Sequence, residues 1–332
     1  MTENYLYRRI TEKLPTTQGT LSEPDGAPTS RFAVASSVNW IRALSLIVWE
    51  ENVTWEGALE KYKSVSRARS SSDRATNTIY EQLLLSLHHL SALHAMSEAG
   101  KAADLNRIAI MDWYYGIYCA ASAMVAAKDG SQQQDHAGTA KQWDQHIAAA
   151  GLAFQPFNYR ISTLVKSAAD KEIAALSEFK KFELLVAPAN RQEAEGACLT
   201  YLSGTRNYRE WQIKNELLSR ELKAKELDNF KTKFARKIRD ERLHSKSLGF
   251  VLQAFRFRGK ANYRDALYLT HDFCSTVGSD LFIEDMEEVL KAYLRMAGAY
   301  CSRRMSKDEW MNFISDLTAH LKLSVMPKDV WL

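Results

Sequence analysis

Arg239-Asp240-Glu241-Arg242-Leu243-His244 places an arginine and a histidine at Arg-x4-His spacing, with an acid directly after the arginine, and the 332-residue chain has no other such spacing. These residue types are suited to cleaving RNA without a metal. The reaction needs a group that accepts the 2′-OH proton, a cation for the charge developing on the phosphorane and a proton donor for the departing 5′-oxygen. A histidine titrating near its ordinary value of about 6.5 populates both protonation states, so His244 fits base, acid or both in alternation with a mate. Arg239 stays charged and fits the phosphate clamp. DNA lacks the 2′-OH, so the expected substrate is RNA. On a regular helix the two side chains diverge by about 140°, so they converge on one phosphate only through a distorted turn or a second copy. The chemistry therefore implies a homodimer or a higher homo-oligomer.

The surrounding charge agrees with a polyanionic partner. Over the whole chain 44 basic residues face 40 acidic ones, a net of +4. Resolved along the chain, residues 206–264 hold seventeen Lys or Arg against seven Asp or Glu, +10, which leaves −6 elsewhere. Arg236, Lys237, Arg242, Lys246, Arg256, Arg258, Lys260 and Arg264 are the expected RNA- and phosphate-binding residues, and such binding is salt-dependent. The same charges also fit a solvated helix face laced with ion pairs, and Glu210/Lys214 and Glu221/Lys225 stand at the i,i+4 spacing for it.

The elements that must position these residues read as helices. With 46% hydrophobic and 25% charged residues, 14 Gly and 6 Pro, the chain is globular and too poor in breakers for a turn-rich β fold. Residues 1–36, with much Ser, Thr, Gly and Pro, are expected to form an arm, and helix is expected from an N-cap at Ser37. Trp40, Ile41, Leu44, Ile47 and Val48 then recur at helical steps, and Trp55, Leu59 and Tyr62 precede a Ser/Arg-rich link at 64–75. The spacing predicts a helix over 78–99 ending at Gly100, and a central one capped by Asp104 and running to Asp129-Gly130. Shorter helices are expected over 137–150 and 159–184, with 197–203 able to pass for a strand. A long charged helix is predicted over 206–255, a cap at Asn262 with Asp265, and final helices near 281–300 and 307–322. The fold class is all-α, divided as an arm 1–36, a helical segment 37–75, a domain 76–270 and an extension 271–332.

Other chemistries lack their motifs. No glycine-rich phosphate loop or Gly-x-Ser-x-Gly elbow occurs. His88, His89 and His94 do not share a helix face, and Cys119, Cys198, Cys274 and Cys301 lie far apart, so neither a metal site nor a cofactor is expected and the thiols are expected to be reduced. Tyr114, Tyr115 and Tyr118 have apolar neighbours and are expected in the core, while Trp40, Trp49 and Trp55 fit either a core or a partner interface. The charge-free apolar stretch from Trp113 to Ala127 is shorter than the roughly 18–20 residues a bilayer span needs, and the first residues lack a secretory signal pattern. No membrane association and a cytoplasmic setting are the expectations.

The Arg-x4-His motif, the aromatic-small run Asp112-Trp113-Tyr114-Tyr115-Gly116-Ile117-Tyr118-Cys119-Ala120-Ala121 and the following His136-Ala-Gly-Thr-Ala helix resemble the HEPN superfamily, over about residues 78–270. Many HEPN proteins are metal-independent ribonucleases of toxin–antitoxin, anti-phage and CRISPR effector systems, with the active site usually built across a dimer. The resemblance implies a HEPN-like helical bundle with extra N- and C-terminal helices. It makes Arg239 and His244 catalytic, Asp240 the residue that orients them, and an antitoxin or defence-complex protein a partner. About 120 residues separate the tyrosine-rich helix from the motif, more than a minimal bundle has, so 151–205 reads as an insertion. Many toxin-type members continue as His-x-Tyr, where an antitoxin adds nucleotides; Ser245-Lys246 stands here, so neutralisation by that route is not expected. The alternative is a non-catalytic helical RNA- or nucleotide-binding subunit of a defence complex.

Overall fold

Apolar residues at three- and four-residue steps build the two helices around which the others pack. The computed structural model describes residues 29–65, 72–131, 135–264, 266–271, 273 and 276–332. Helix α1 (Thr29–Glu51) buries Trp40, Ile41, Leu44 and Ile47 along one stripe. It starts well before Ser37, so residues 29–36 belong to the helix and not to an arm. Ser37 is buried in mid-helix, its hydroxyl donating to the Ala33 carbonyl at 2.8 Å, which satisfies the polar group that a cap would otherwise use. Helix α4 (Ala102–Asp129) buries Ile110, Trp113, Tyr114, Ile117 and Met124 and ends where Gly130 turns left-handed at φ 76°. Its N-cap is Lys101, and Asp104 sits in the first turn instead, where its charge complements the helix dipole.

The other helices cover this pair. Thr54 caps α2 (Trp55–Lys61) and Ser72 caps α3 (Asp73–Glu98), which lies along α4 and ends at Gly100, φ 62°. Asp135 caps α5 (His136–Trp143), which widens into a π-type turn over Asp144–Ala148. Expected helix 159–184 is limited to α6 (Lys166–Ala175). Before it the chain is extended, because Ile161 exchanges both backbone hydrogen bonds with Leu248, at 2.9 and 3.0 Å, and Leu164 N–H donates to Leu243. After it residues 176–190 lie as an irregular strap, pressed so close to the next helix that a Cβ at Gly196 would stand 2.9 Å from the Phe182 nitrogen. That helix, α7 (Arg191–Glu216), includes 197–203, so the short strand that the sequence allowed is absent.

The predicted long helix 206–255 is three elements. After α7, a wider π-type turn over Leu217–Leu222 and a tighter 3-10 turn over Lys223–Lys225, Glu226 turns left-handed at φ 56° and breaks it. Helix α8 (Lys233–His244) and α9 (Phe250–Gly259) follow, separated at the Ile161–Leu248 bridge. Helix α9 runs on into a π-type turn, Lys260–Arg264, so Asn262 lies inside a helical turn and caps nothing; Asp265 is outside the described residues. Helices α10 (Ala266–His271), α11 (Phe282–Arg304), α12 (Lys307–His320), with a Ser306/Glu309 capping box, and α13 (Lys328–Trp331) complete an all-α fold with no strand among the described residues.

One large core runs from α1 to α13. Trp40 is at its centre, stacked on Tyr201 at 3.9 Å and edge-on to Trp113 and Phe257. Trp55 stacks on Trp310, whereas Trp49 is 77% exposed. A smaller core gathers Ile161, Ile173, Leu202, Leu217, Leu243 and Leu248 beneath α6, α7 and α8. Residues Phe32–Glu51 of α1 and all of α4 are long and apolar enough to cross a membrane by composition, but 78% and 67% of their apolar windows are buried among the other helices, which is compatible with a soluble protein. Cys119, Cys198 and Cys301 are free and buried; burial pushes the Cys119 thiol up to about 12.

Candidate nucleic-acid interface

Helix α8 is an outer helix, capped by Thr232 and held to the smaller core through Leu243. With Leu243 turned inward, Arg239 and His244 point in different directions. Arg239 Nε donates to Asp240 Oδ1 at 2.7 Å, and its guanidinium lies 5.7 Å from the centre of the Phe230 ring. His244 is exposed, with no hydrogen bond or ion pair among the described residues. Within one copy, Asp240 therefore neutralises the arginine rather than orienting the pair.

The expected phosphate-binding residues divide by their partners. Lys237 stands 3.9 Å from Glu241, and Arg242 donates to Glu221 at 3.2 Å, while Arg236 is exposed on the same helix. Such surface pairs add little stability, but they offset part of the charge the helix presents to an anion. Lys260 does not fit its expected role. It is buried and donates to the hydroxyls of Ser36 and Ser37 at 3.0 and 3.2 Å, tying the end of α9 to α1. Arg256 donates to Thr205 Oγ1 at 2.7 Å and covers the Tyr208 ring at 4.7 Å; Arg258 donates to Tyr115 Oη at 3.2 Å; Lys246 is exposed. The Arg264 side chain is outside the described residues.

Between α5, α7 and α9 lies a groove that the sequence did not single out. It consists of two cavities of about 280 Å³ each that share Arg209 and Leu252. Lys141, Ser245 and Lys246 rim the first, directly beyond His244. Tyr208, Arg209, Phe255, Arg256 and Arg258 line the second. Asp144, the acid of the lining, is buried and held by Arg160 through two hydrogen bonds at 2.9 and 3.1 Å, so its charge is met from within the protein. Lys141, Arg209, Lys246 and Arg258 have no acidic partner among the described residues. Among the described residues Arg209 donates only to Gln212, at 2.8 Å, and Tyr208 stacks with Trp211. Unpaired cations interleaved with aromatic rings suit a single-stranded nucleic acid, whose phosphates they meet and whose bases they stack.

Beyond Arg258 the groove meets a patch of rings from α3, α4 and α5. His136 Nδ1 bonds Tyr114 Oη at 2.9 Å, and His89 Nδ1 bonds Asp112 Oδ1 at 2.6 Å. Burial, and then the Arg258 guanidinium, lower the His136 pKa against the opposing charge of Asp135. Tyr114 is in the core as expected, its hydroxyl pKa raised by burial, but Tyr115 is exposed and turns to this patch. No group of three His, Cys, Asp or Glu among the described residues could hold a metal ion; His94 pairs with Glu287 at 2.9 Å.

Comparison with family models, with curated proteins and with solved structures returned no match. The site therefore stands on its own geometry. What sequence reading missed is the contribution of residues far from the motif: Lys141 on α5 and Tyr208, Arg209 and Trp211 on α7. The Tyr-Arg-x-Trp spacing carried an aromatic-basic signal, but only the packing of α7 against α9 turns it toward Arg256 and Arg258.

Proposed function

We propose that the protein binds single-stranded RNA along this groove and cleaves it as a metal-independent endoribonuclease of the HEPN kind, with Arg239 and His244 completed by their counterparts in a second copy. The observation that supports this is the continuity of the groove with the end of α8. Ser245 and Lys246 follow His244 and rim the first cavity, and Arg209 carries the groove on to Arg258. A strand gripped there passes the exposed imidazole. His244 takes the proton from the 2′-OH, the 2′-oxygen attacks phosphorus, and the 5′-oxygen leaves with a proton from the facing His244, giving a 2′,3′-cyclic phosphate and a 5′-OH end. The HEPN resemblance noted in the sequence supports reading this activity as that of a cytoplasmic toxin or anti-phage effector, held in check by a partner protein.

A second reading, a non-catalytic RNA- or nucleotide-binding subunit, is favoured by one observation: the Arg239 guanidinium is already engaged by Asp240 and Phe230. Incubating labelled RNA with the purified protein in EDTA separates the two. The endoribonuclease reading expects cleavage by the wild type, loss of cleavage with retained binding in Arg239→Ala and His244→Ala, and weakened binding in Arg209→Ala. Binding without cleavage by the wild type leaves the second reading, and absence of binding defeats both.

A further inference from the structure

Arg258 separates the groove from the ring patch, and the patch has an arrangement that the RNA backbone alone does not require. Both imidazoles are fixed through Nδ1, His89 by Asp112 and His136 by Tyr114, and neither Nε2 has a partner among the described residues. Both rings lie within 6.0 Å of the Tyr115 ring centre, which is also 5.9 Å from the Arg258 guanidinium carbon. Arg258 Nη1 reaches Tyr115 Oη, while its Nε is buried with no hydrogen-bond partner among the described residues. Asp112 Oδ2 is likewise buried with no hydrogen-bond partner among the described residues, while Oδ1 meets His89 Nδ1 at 2.6 Å. A guanidinium and two imidazoles thus gather within about 6 Å of one exposed tyrosine ring.

A phosphodiester in the groove carries one negative charge, and a single guanidinium meets it. A phosphate monoester carries about −1.5 to −2 at neutral pH, with its second pKa near 6, in the range where imidazoles titrate. We propose that His89, His136 and Arg258 form a subsite for a phosphate monoester, the terminal phosphate of an RNA strand whose body lies in the groove. The Nε2–H of each imidazole and the outer nitrogens of the Arg258 guanidinium donate to its oxygens, and Tyr118 and Phe255, at 4.5 and 5.5 Å from the His136 ring, wall the site with apolar surface. The subsite makes the protein prefer phosphorylated ends. It rests on the RNA reading for the strand, but not for the phosphate itself.

The test uses the full chain and RNA oligonucleotides of one sequence carrying a 5′-phosphate, a 3′-phosphate or hydroxyl ends, with adenosine monophosphate and inorganic phosphate as separate probes. One phosphorylated end is expected to bind about tenfold more tightly than the hydroxyl-ended strand. His89→Gln and His136→Gln are expected to remove that preference while leaving hydroxyl-ended binding unchanged; Tyr115→Phe, which only frees Arg258, keeps it. In proton spectra, adenosine monophosphate or phosphate is expected to move the ring signals of His89 and His136 and leave that of His244 in place. Equal affinity for all ends together with unmoved ring signals overturns the subsite. Failure of every RNA to bind while phosphate still moves both signals defeats the RNA reading and supports the subsite.

Discussion

Raising the salt concentration tests the groove directly. Lys141, Arg209, Lys246 and Arg258 line it without acidic partners among the described residues, whereas Lys237, Arg239 and Arg242 on α8 are each beside an acid. If each unpaired cation meets one phosphate, four counterions are released, and the slope of log affinity against log salt is about −0.7 per contact for a single strand, or about −2.8 in all. A rise from about 50 to 200 mM salt, fourfold, should then weaken binding by about 50-fold. The assay is fluorescence anisotropy with a labelled single-stranded RNA, catalysis being blocked by 2′-deoxy substitution at the cleavable positions. Arg209→Ala should flatten the slope by about 0.7. The double variant Lys237→Ala/Arg242→Ala should leave it nearly unchanged, because those charges are already compensated. A slope shallower than about −1, or a larger change from the α8 variant than from Arg209→Ala, would refute the argument that charge pairing decides which cations bind RNA.

Three further outcomes are expected. His136 should titrate below its ordinary value of about 6.5, and Arg258→Ala should move its midpoint upward by removing a lowering charge, read from its ring proton shifts. Because the folded state holds this imidazole neutral, its contribution to stability is complete above about 6.5 and declines as the pH falls from there toward the folded midpoint; a midpoint above 6.5 contradicts the burial. Gly298→Ala should cost about 2 kcal/mol in denaturant unfolding, because the new Cβ would stand 2.6 Å from Trp331 Cδ1 in a ring anchored by its N–H to Leu294. Arg160→Ala should cost about 3 kcal/mol, since it leaves the Asp144 carboxylate, 3% exposed at its side chain, buried and unpaired; a loss under about 0.5 kcal/mol means that water reaches it.

The helices were legible in sequence wherever burial imposes a 3.6-residue period on one face, as for Ile110, Trp113, Ile117 and Met124 of α4 or Val289, Tyr293 and Met296 of α11. Boundaries were less so. Ser37 carries the residue type of a cap, but its hydroxyl is satisfied just as well by the carbonyl four residues back, and nothing local distinguishes the two. The strap over 176–190 and the extended segment before α6 follow from long-range contacts, the Ile161–Leu248 bridge and the close approach of Phe182 to Gly196, which no window of sequence contains.

The candidate site failed to be legible for a related reason. A segment count sees charge along the chain, and the +10 over residues 206–264 drew attention to α8. Free charge at a surface depends instead on what each cation meets after folding. On α8 the acids Asp240 and Glu241 and the neighbouring Glu221 take up part of that excess, and Lys260 spends its charge on two buried hydroxyls. The unpaired cations come from α5, α7, α9 and the link after α8, so each contributes little to any local count. A polyanion is attracted by the sum that remains after pairing, and this moves the expected RNA path from the exposed face of α8 into the groove beside it, with His244 at its mouth.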